Sequence, residues 1–563
     1  MRSRQKICLL SVTAALLVII LGQAIVAGQA GGDLDGHWAK ATINRWISRE
    51  IMQGYPDGSF KPDAPIKRAE FAALINRTFG YTAIAAVKFT DMDGSEWFAP
   101  EIGKAVAAGY MNGYPDGSFR PQANIARQEA AVVLARIAGL KDSGGSISFS
   151  DRDSIPGWSR PAIAAVAGTG LITGYPDGSF RPGASITRAE TATILDRFIA
   201  EIFREEGTHG TVSERTVVNG NAIILAEDVE LFNYHIKGDL YIAESVGEGT
   251  VVLEGVKVDG RLVVNGGGTG SVVIKDSTVA TLIIDKTGVR VVVQDDTQIT
   301  EAYIMTSSKI EQNDNSQRIK FLFIEENEGE ITLSGGFGTV SVKSESGKIT
   351  LKSGHIDNLI IESAAKNVLC EIAETASVKN VVLNAPAKIS GTGAIETAVI
   401  NVDGVVIEQQ PARVILAEDV TATVAGKKVF GPPSDDSSSG SGTSGGSGSS
   451  GGGGGSDDDK PSHVKVKSIQ VTPQTMLLQV GRTGSIKVTV MPANASNKKV
   501  IWTSSDPGIA TVDGSGKVSA VSPGVAVITA ASAENTNIKA SCIVTVTEYN
   551  VISNMLQLTI EAR

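Results

Sequence analysis

The sequence predicts a multidomain chain: an α-helical triple-repeat unit, then a parallel β-helix (β-solenoid), then a small all-β sandwich. Three observations support this order. The phrase GYPDGSF occurs three times, at 54–60, 113–119 and 174–180. From 211 to 430, short runs of Val, Ile and Leu recur about every 20 residues. Beyond a Gly- and Ser-rich stretch, alternating β-forming runs continue to 547. A chain of 563 residues is too long for one core, so separate domains are expected.

Charge and cysteine content exclude some classes of protein. Lys plus Arg total 51 and Asp plus Glu total 61, which gives a net charge of −10 and no overall attraction for nucleic acid. Cys8, Cys370 and Cys542 fall in separate predicted regions, so no disulfide framework is expected.

Residues 1–30 are predicted to be a signal peptide. Arg2, Arg4 and Lys6 precede an uncharged apolar run that starts at Ile7, and small residues near Ala30 offer cleavage sites. The alternative is an uncleaved membrane anchor, because the apolar run is long enough to span a bilayer. After cleavage no membrane association is expected.

Each repeat is predicted to fold as helix, loop and helix. Pro56 presets φ for a turn, and Asp57-Gly58 suits a tight reversal. Thr187 and Glu190 form a capping-box sequence, whereas the other two repeats keep the Glu and lack the hydroxyl residue. We therefore predict structural loop and cap roles for Asp57, Gly58, Glu70, Asp116, Gly117, Glu129, Asp177, Gly178 and Glu190.

Three arginines follow the loops: Arg68, Arg127 and Arg188. Each lies on a first helical turn, where a positive charge is mildly unfavourable against the helix dipole. A guanidinium fork matches a carboxylate or phosphate in bidentate geometry, so a bound anion is one interpretation. The other is an intramolecular pair with a neighbouring Asp or Glu.

Three tryptophans lead the first helices: Trp38, Trp97 and Trp158. Packing in a core is the default role for such residues. A Trp face in a groove also packs against sugar C–H surfaces.

Together these motifs resemble the S-layer homology (SLH) family. Its aromatic-x-Asp entry corresponds to Leu34-Asp35, Phe89-Thr90-Asp91 and Phe149-Ser150-Asp151, and its TRAE-like helix start to the segments 67–70, 126–129 and 187–190. The resemblance implies one pseudo-threefold unit, residues 31–205 (repeats of about 31–84, 85–144 and 145–205), on a bacterial cell surface. The implied partner is a secondary cell-wall polysaccharide attached to peptidoglycan and often pyruvylated. The implied glycan-binding residues are Trp38, Arg68, Trp97, Arg127, Trp158 and Arg188.

The middle repeat departs from that pattern. It has Ala126 and Gln128 where the third repeat has Thr187 and Ala189. We therefore expect its groove to bind the glycan poorly or not at all.

The segment 211–430 is predicted to be a β-solenoid of about nine turns, because two interleaved apolar series share one period. The first series is Leu240, Leu262, Leu282, Tyr303, Leu322, Val340, Leu359, Val381 and Val399; the second is Leu253, Ile274, Val293, Leu333, Leu351 and Ile389.

The solenoid sequence offers little that is typical of an enzyme. Asp276 and Asp295 are expected to stack on adjacent turns, with Asp296 beside them, in what we interpret as a solvated turn column. The five His residues are scattered, at 37, 209, 235, 355 and 463. We predict no catalytic residue, metal site or cofactor. The alternative is a polysaccharide lyase, glycoside hydrolase or glycan-binding lectin with its site on the solenoid.

A flexible linker is predicted for residues 431–463, followed by a β domain over 464–547 and a tail over 548–563. The segments 469–473, 500–507, 509–512 and 516–520 resemble the group 2 bacterial Ig-like family. That family implies a spacer or adhesive module. The whole sequence is thus interpreted as a secreted surface protein that is anchored by its repeats and that displays a rod and an Ig-like module in a structural, S-layer-associated or adhesive role.

Overall fold

A computed structural model describes residues 32–140, 147–325, 329–345, 347–417, 419–431, 463–473, 475–522 and 524–547. The predicted signal peptide, nearly all of the linker and the tail lie outside these residues. The chain divides into two compact units between Asn313 and Asp314, and each is described by itself.

The first unit begins with two α-helices per repeat, as the 3.6-residue periodicity predicts. Apolar side chains of both helices are buried, among them Ile43 and Trp46 in the first and Phe71 and Ile75 in the second. The helices are α1 (Lys40–Ser48), α2 (Arg68–Phe79), α3 (Ala99–Ala107), α4 (Arg127–Ile137), α5 (Arg160–Gly168) and α6 (Arg188–Phe198).

The three repeats close into a ring around three buried isoleucines, which we call the hub: Ile66, Ile125 and Ile186. The Ile66 amide donates to the Ile186 carbonyl, the Ile125 amide to Ile66, and the Ile186 amide to Ile125, at 3.0, 3.1 and 3.1 Å. Each hub residue therefore donates one bond and accepts one. The closed cycle matches the expected pseudo-threefold arrangement.

Helix α6 continues directly into the solenoid. Strand β1 begins at Ile199, one residue after α6 ends, whereas the sequence predicted a start at 211. The strands of the first unit are β1 (Ile199–Phe203), β2 (Gly207–Gly210), β3 (Thr216–Val218), β4 (Asn221–Ile224), β5 (Val229–Phe232), β6 (Tyr234–Ile236), β7 (Leu240–Ile242), β8 (Val251–Glu254), β9 (Lys257–Val264), β10 (Val272–Lys275), β11 (Thr278–Ile284), β12 (Arg290–Gln294), β13 (Gln298–Ile304) and β14 (Ser308–Gln312).

Equivalent strands of successive turns pair in parallel, so that apolar side chains stack in columns. Leu240 faces Leu262, and Leu262 faces Leu282. At the next turn Leu282 faces Ala302, where the sequence predicted Tyr303. Side chains on both faces of β13 are buried near this point. Alternation of polar and apolar residues therefore could not show whether Ala302 or Tyr303 faces Leu282.

The ring and the first solenoid turns share a core. The ring centroids of Phe79 and Phe198 lie 5.3 Å apart, and each lies 6.4 Å from Tyr241 of β7. The Glu244 carboxylate accepts hydrogen bonds from the Thr82 and Ala83 amides at 2.9 and 3.0 Å. These contacts explain the early start of the solenoid, since its first turns complete the packing of the helices.

The second unit carries further solenoid turns, which bring the total to about 11 rather than the predicted nine. The pairing is again parallel until β24, which pairs with β25 in antiparallel fashion. Val381 faces Ala398, one residue from the predicted Val399. The strands are β15 (Ile319–Ile324), β16 (Glu330–Val342), β17 (Gly347–Ile361), β18 (Val368–Ile372), β19 (Ala376–Leu383), β20 (Ala387–Gly391), β21 (Ala394–Ile400), β22 (Val405–Ile407), β23 (Arg413–Leu416), β24 (Thr421–Val424) and β25 (Lys427–Phe430).

The C-terminal module is an all-β domain of three small sheets, in the orders β26-β29, β27-β34-β33-β30 and β28-β32-β31. Most pairs are antiparallel, but β27 and β34 are parallel. Trp502 packs against a core that includes Val518 and Ile528. The strands are β26 (Ser468–Thr472), β27 (Thr475–Gln479), β28 (Thr483–Ser485), β29 (Lys487–Met491), β30 (Val500–Ser504), β31 (Ala510–Val512), β32 (Lys517–Ala520), β33 (Gly524–Ser532) and β34 (Lys539–Thr547).

Cys370 and Cys542 are buried thiols, and burial raises the pKa of each to about 12. Across the described ranges, no helix is both apolar and long enough to cross a membrane.

Candidate functional site

The repeated phrase folds into a tight loop in all three repeats. In the first, the Tyr55 amide donates to the Ser59 carbonyl at 2.8 Å, and Asp57 accepts from the Ser59 amide at 3.0 Å. Gly58 has φ near 81°, which few other residues adopt without strain. Asp116 with Gly117, and Asp177 with Gly178, repeat this geometry. These four residues and their first-repeat equivalents thus lie where the turn chemistry predicted them.

A second aspartate in each repeat holds the end of the loop. Asp91 accepts from the Phe119 and Arg120 amides at 2.9 and 2.7 Å, and Asp151 does the same for its repeat. In the first repeat this residue is Asp33, whose carboxylate accepts from the Phe60 and Lys61 amides.

The expected entry aspartate of the first repeat, Asp35, instead pairs with Lys40. The entry therefore has to be aligned two residues earlier. The sequence alone does not show the correct alignment, because Leu34-Asp35 also matches the motif. The hydrogen bonds from the loop amides to Asp33 show it.

The loop glutamates connect the helix starts to the loops. One Glu129 oxygen accepts from the Ala126 amide at 2.9 Å and the other from the Tyr114 hydroxyl at 2.5 Å. Glu70 and Glu190 make the same two kinds of contact with their own repeats. The Arg68 amide donates to the Ala123 carbonyl of the next repeat, and the Arg127 and Arg188 amides donate in the same way to the Ala184 and Ala64 carbonyls. This bond is therefore made whether or not the hydroxyl residue is present.

The three helix-start arginines are buried in the contacts between repeats. Arg68 is 4% exposed; its Nε donates to the Phe119 carbonyl at 3.0 Å and its Nη1 to Glu129 at 3.0 Å. Arg127 reaches the Phe180 carbonyl and Glu190 in the same way, and Arg188 reaches the Phe60 and Gln53 carbonyls. Each guanidinium therefore holds the loop of the next repeat. Arg68 and Arg127 also pair with a glutamate, as the intramolecular interpretation describes.

A different set of cations faces solvent: Lys61, Arg120 and Arg181, each directly after a loop. The Arg120 guanidinium lies 4.1 Å above the Tyr114 ring centroid, Arg181 lies 4.2 Å above Tyr175, and Lys61 lies 4.4 Å above Tyr55. Each also pairs with the loop aspartate four residues earlier. The sequence analysis assigned these three residues no role.

These solvent-facing cations adopt an unusual backbone conformation. Lys61, Arg120 and Arg181 have φ between 54° and 58°, a region that non-glycine residues rarely occupy. The entry aspartates hold their amides in place. Strain that is maintained in three copies is typical of a functional position.

The three leading tryptophans are exposed. Trp38, Trp97 and Trp158 have exposed fractions of 64%, 59% and 59%, whereas Trp46 is fully buried. Core packing is therefore excluded for the three, and their faces are available to a ligand.

Electrostatics keep the loop carboxylates ionised. Hydrogen bonds from Ser59 lower the pKa of Asp57 to about 2, and the equivalent serines, with Arg120 and Arg181, lower the pKa values of Asp116 and Asp177 further. Partial burial and the hydrogen bond to Glu129 raise the pKa of Tyr114 to about 12. Each loop thus presents a fixed carboxylate, a neutral phenol and a cation at neutral pH.

The middle repeat keeps this architecture despite its sequence. The Gln128 amide donates to the Pro182 carbonyl, as Ala69 and Ala189 do toward Pro121 and Pro62. The Gln128 side chain accepts from Ser159 at 3.4 Å. Weaker glycan binding by this repeat stays a prediction.

The solenoid aspartates singled out from the sequence lie in a column of left-handed corners. Asp276 and Asp295 have φ of 47° and 51°, and Asn233 and Gly255 continue the column with positive φ. Conformation therefore explains the Asn, Gly and Asp at this column. Among the described residues, no group of three or more His, Cys, Asp or Glu side chains is arranged to hold a metal ion.

Comparison with known proteins matches two family models. The S-layer homology domain matches residues 32–72, 88–131 and 148–192, and the bacterial Ig-like domain (group 2) matches residues 465–544.

Relatives resemble the N-terminal region. A "Cellulosome-anchoring protein" of Acetivibrio thermocellus is 34% identical over 194 residues, which is 33% of this chain and 42% of the relative. "Cell surface glycoprotein 1" of the same organism is 36% identical over 162 residues, 26% of this chain and 7% of the relative. "S-layer protein EA1" of Bacillus anthracis is 26% identical over 196 residues, 34% and 23% of the two chains. The chain thus spans less than half the length of these relatives.

One solved structure, chitinase ChiW of Paenibacillus sp. FPU-7, aligns with 49% of this chain and 24% of its own at 18% identity and a TM-score of 0.23. A similarity of this size carries no argument about fold or activity.

The matched family models, the ring geometry and the surface-protein relatives support the same assignment for the N-terminal repeats. The chain carries three S-layer homology repeats and a group 2 bacterial Ig-like domain, and it is a secreted cell-surface protein.

Proposed function

We propose that the ring anchors the protein non-covalently to secondary cell-wall polysaccharide, and that the solenoid and the Ig-like module are displayed from it. One observation carries the proposal: each repeat presents an exposed tryptophan and a solvent-facing cation stacked on a tyrosine. Aromatic faces pack on sugar rings, and cations attract acidic substituents such as pyruvyl groups.

The direct contacts are assigned to Trp38, Trp97 and Trp158 and to Lys61, Arg120 and Arg181. Arg68, Arg127 and Arg188 act on the glycan through the loops that they hold, since their guanidinium groups are buried against carbonyls and glutamates. The name of the cellulosome-anchoring relative agrees with an attachment role for this part of the chain.

The test is co-sedimentation of the full chain with purified wall sacculi, before and after the secondary polymer is stripped. Binding should need the polymer. Trp38→Ala combined with Trp158→Ala should weaken binding at least about 10-fold, because two aromatic surfaces for sugar stacking are removed. The melting temperature should stay unchanged, because both side chains are exposed in the free protein.

Trp502→Ala, in the Ig-like core, is the matched control and should leave wall binding intact. Binding to stripped walls, or full binding by the double variant, would contradict the proposal. A matching loss in a Lys61, Arg120 and Arg181 triple variant would identify the acidic substituents as the second determinant.

For the solenoid we propose a mechanical role in place of polysaccharide cleavage. Within each of the two units, the described solenoid strands form stacked turns whose inward columns are apolar. An assay of the full chain against acidic and neutral polysaccharides with added Ca²⁺ should show no chain cleavage. Cleavage that is lost on Asp276→Ala or Asp295→Ala would restore the lyase or hydrolase alternative.

A further inference from the structure

A serine, a histidine and an aspartate meet on the outer face of the second unit. Nδ1 of His355 lies 2.9 Å from Ser377 Oγ, and Nε2 lies 3.1 Å from Asp357 Oδ1. The other Asp357 oxygen accepts from the Gln317 side chain at 2.6 Å. Nucleophile, base and orienting carboxylate are thus joined by hydrogen bonds, which is the geometry of nucleophilic catalysis by serine.

The parallel register produces this convergence. His355 of β17 faces Ser377 of β19 on the next turn, and Asp357 lies two residues after His355 on the same side of the strand. The position facing His355 on the preceding turn is Gly336, and the one facing Ser377 on the following turn is Ala394. Small residues on both sides leave the pair accessible, and the His355 side chain is 35% exposed.

The carboxylate also selects the useful tautomer. A proton on Nε2 is held by Asp357, which leaves the Nδ1 lone pair directed at the Ser377 hydroxyl. His355 can then accept the hydroxyl proton as a general base.

The chain contains a matched site that lacks the nucleophile. Nε2 of His235 lies 2.8 Å from Asp259, but the residue that faces His235 on the next turn is Lys257. Among the described solenoid residues a His–Asp pair therefore occurs twice, and of these two the pair at His355 has a serine in the facing position.

We propose that Ser377, His355 and Asp357 hydrolyse small O-acyl esters. Ser377 and His355 are the catalytic residues; Asp357 and Gln317 are positioning residues. Lys379 follows Ser377 by two residues on the same face of β19 and is exposed, and we assign stabilisation of the oxyanion to its ammonium group.

The reaction balances in two steps. Ser377 Oγ attacks the acyl carbon and its proton passes to Nδ1 of His355; the tetrahedral intermediate collapses, and the leaving alkoxide takes that proton. Water then attacks the acyl-serine with the same base, and the carboxylic acid leaves as Ser377 regains its proton.

The surroundings define the substrate class. Backbone amides of β17 and β19 are engaged in the parallel ladder, so the oxyanion is stabilised chiefly by a side chain. This modest stabilisation suits an ester better than an amide. Gln317, Asp357 and Lys379 make the site polar, which favours a short acyl group on a hydrophilic alcohol.

The test uses the full chain with a fluorophosphonate probe and with p-nitrophenyl acetate. We expect labelling at Ser377 and none in Ser377→Ala. His355→Gln should slow labelling at least about 100-fold, whereas His235→Gln should not change it. Asp357→Asn should slow labelling at least about 10-fold at an unchanged melting temperature, and Asp357→Glu should recover part of the loss.

Ser377→Cys covers the case in which Ser377→Ala misfolds. Its thiol should react with iodoacetamide faster than that of Ser390→Cys, because His355 lies beside the first and not the second. A wild-type chain that takes no more label than heat-denatured protein, label at another residue, or equal rates for the two histidine variants would overturn the proposal.

Discussion

The ring and the solenoid are both built from repeats, but the ring closes and the solenoid does not. At the hub every isoleucine donates to one neighbour and accepts from the other. In the solenoid each turn has an upper and a lower neighbour, and the two ends must be completed by something else. The helices complete the first turns, and the antiparallel strand β25 follows the last parallel strand. Every repeat of the closed ring is therefore needed to complete its hydrogen-bond cycle. In the open solenoid, each turn is stabilised mainly by the turns next to it.

The largest effect should come from breaking the ring. Arg68→Ala should lower the free energy of unfolding by about 3–5 kcal/mol, because it leaves Glu129 and the Phe119 carbonyl without their buried partner. Thermal unfolding followed by circular dichroism measures it. Arg290→Ala, which removes a half-exposed pair with Glu311 on the solenoid, should cost about 0–1 kcal/mol. Equal losses in both variants would show that the ring has no special dependence on its arginines.

The next largest effect tests whether a core substitution in the solenoid destabilises only the neighbouring turns. Leu262→Ala removes a fully buried side chain between Leu240 and Leu282, and should cost about 2–5 kcal/mol. Amide hydrogen exchange should speed up on the turns next to Leu262 and stay unchanged on those of the second unit. Uniform loss of protection would mean that the solenoid unfolds as a whole.

A substitution at the junction between the ring and the solenoid should cause an intermediate loss of stability. Glu244→Ala removes the acceptor of the Thr82 and Ala83 amides, and should cost about 1.5–3 kcal/mol. Calorimetry should then resolve separate transitions for the ring and the solenoid. Glu230→Ala, at an exposed bond to Thr208, is the control and should leave one transition.

A smaller effect shows whether Asp276 is needed at its solenoid corner for its backbone conformation or for its carboxylate. Asp276→Gly should be more stable than Asp276→Ala by about 1 kcal/mol, because Asp276 has positive φ and alanine is strained there. Chemical denaturation measures the difference. The reverse order would indicate that the carboxylate has a role beyond the turn.

The smallest effect is electrostatic. Ser59→Ala removes the main cause of the low pKa of Asp57, which should rise from about 2 toward its usual value in an NMR titration. The folded-state pKa is depressed, so the stabilisation from this carboxylate is present above the unfolded pKa of about 3.9 and is lost as the pH falls through about 2. In Ser59→Ala the loss should be smaller and should be complete at a higher pH, because only the folded-state pKa changes. An unshifted pKa of Asp57 would show that the backbone amide of residue 59 and Lys61 hold the pKa low without the Ser59 hydroxyl.

The sequence was informative wherever a local pattern repeats. The loop turn at Asp57-Gly58, the helices and the stacked columns at Leu262 were all predicted from spacing and turn chemistry. The sequence was misleading where partners are distant. Neither the bond from Arg68 to Glu129 nor the contact of Ser377 with His355 can be read from spacing, because each depends on which repeat or turn lies alongside. Asp33 was missed for a similar reason, since only its bonds to the loop distinguish it from Asp35.

The hub also limits how such a gene can change. Duplicating or deleting a single solenoid turn keeps the same neighbour relations along the stack. A fourth repeat in the ring would find every hub amide and carbonyl already paired among Ile66, Ile125 and Ile186. The three repeats of the ring are therefore expected to be copied or lost together, whereas the solenoid can lengthen or shorten turn by turn.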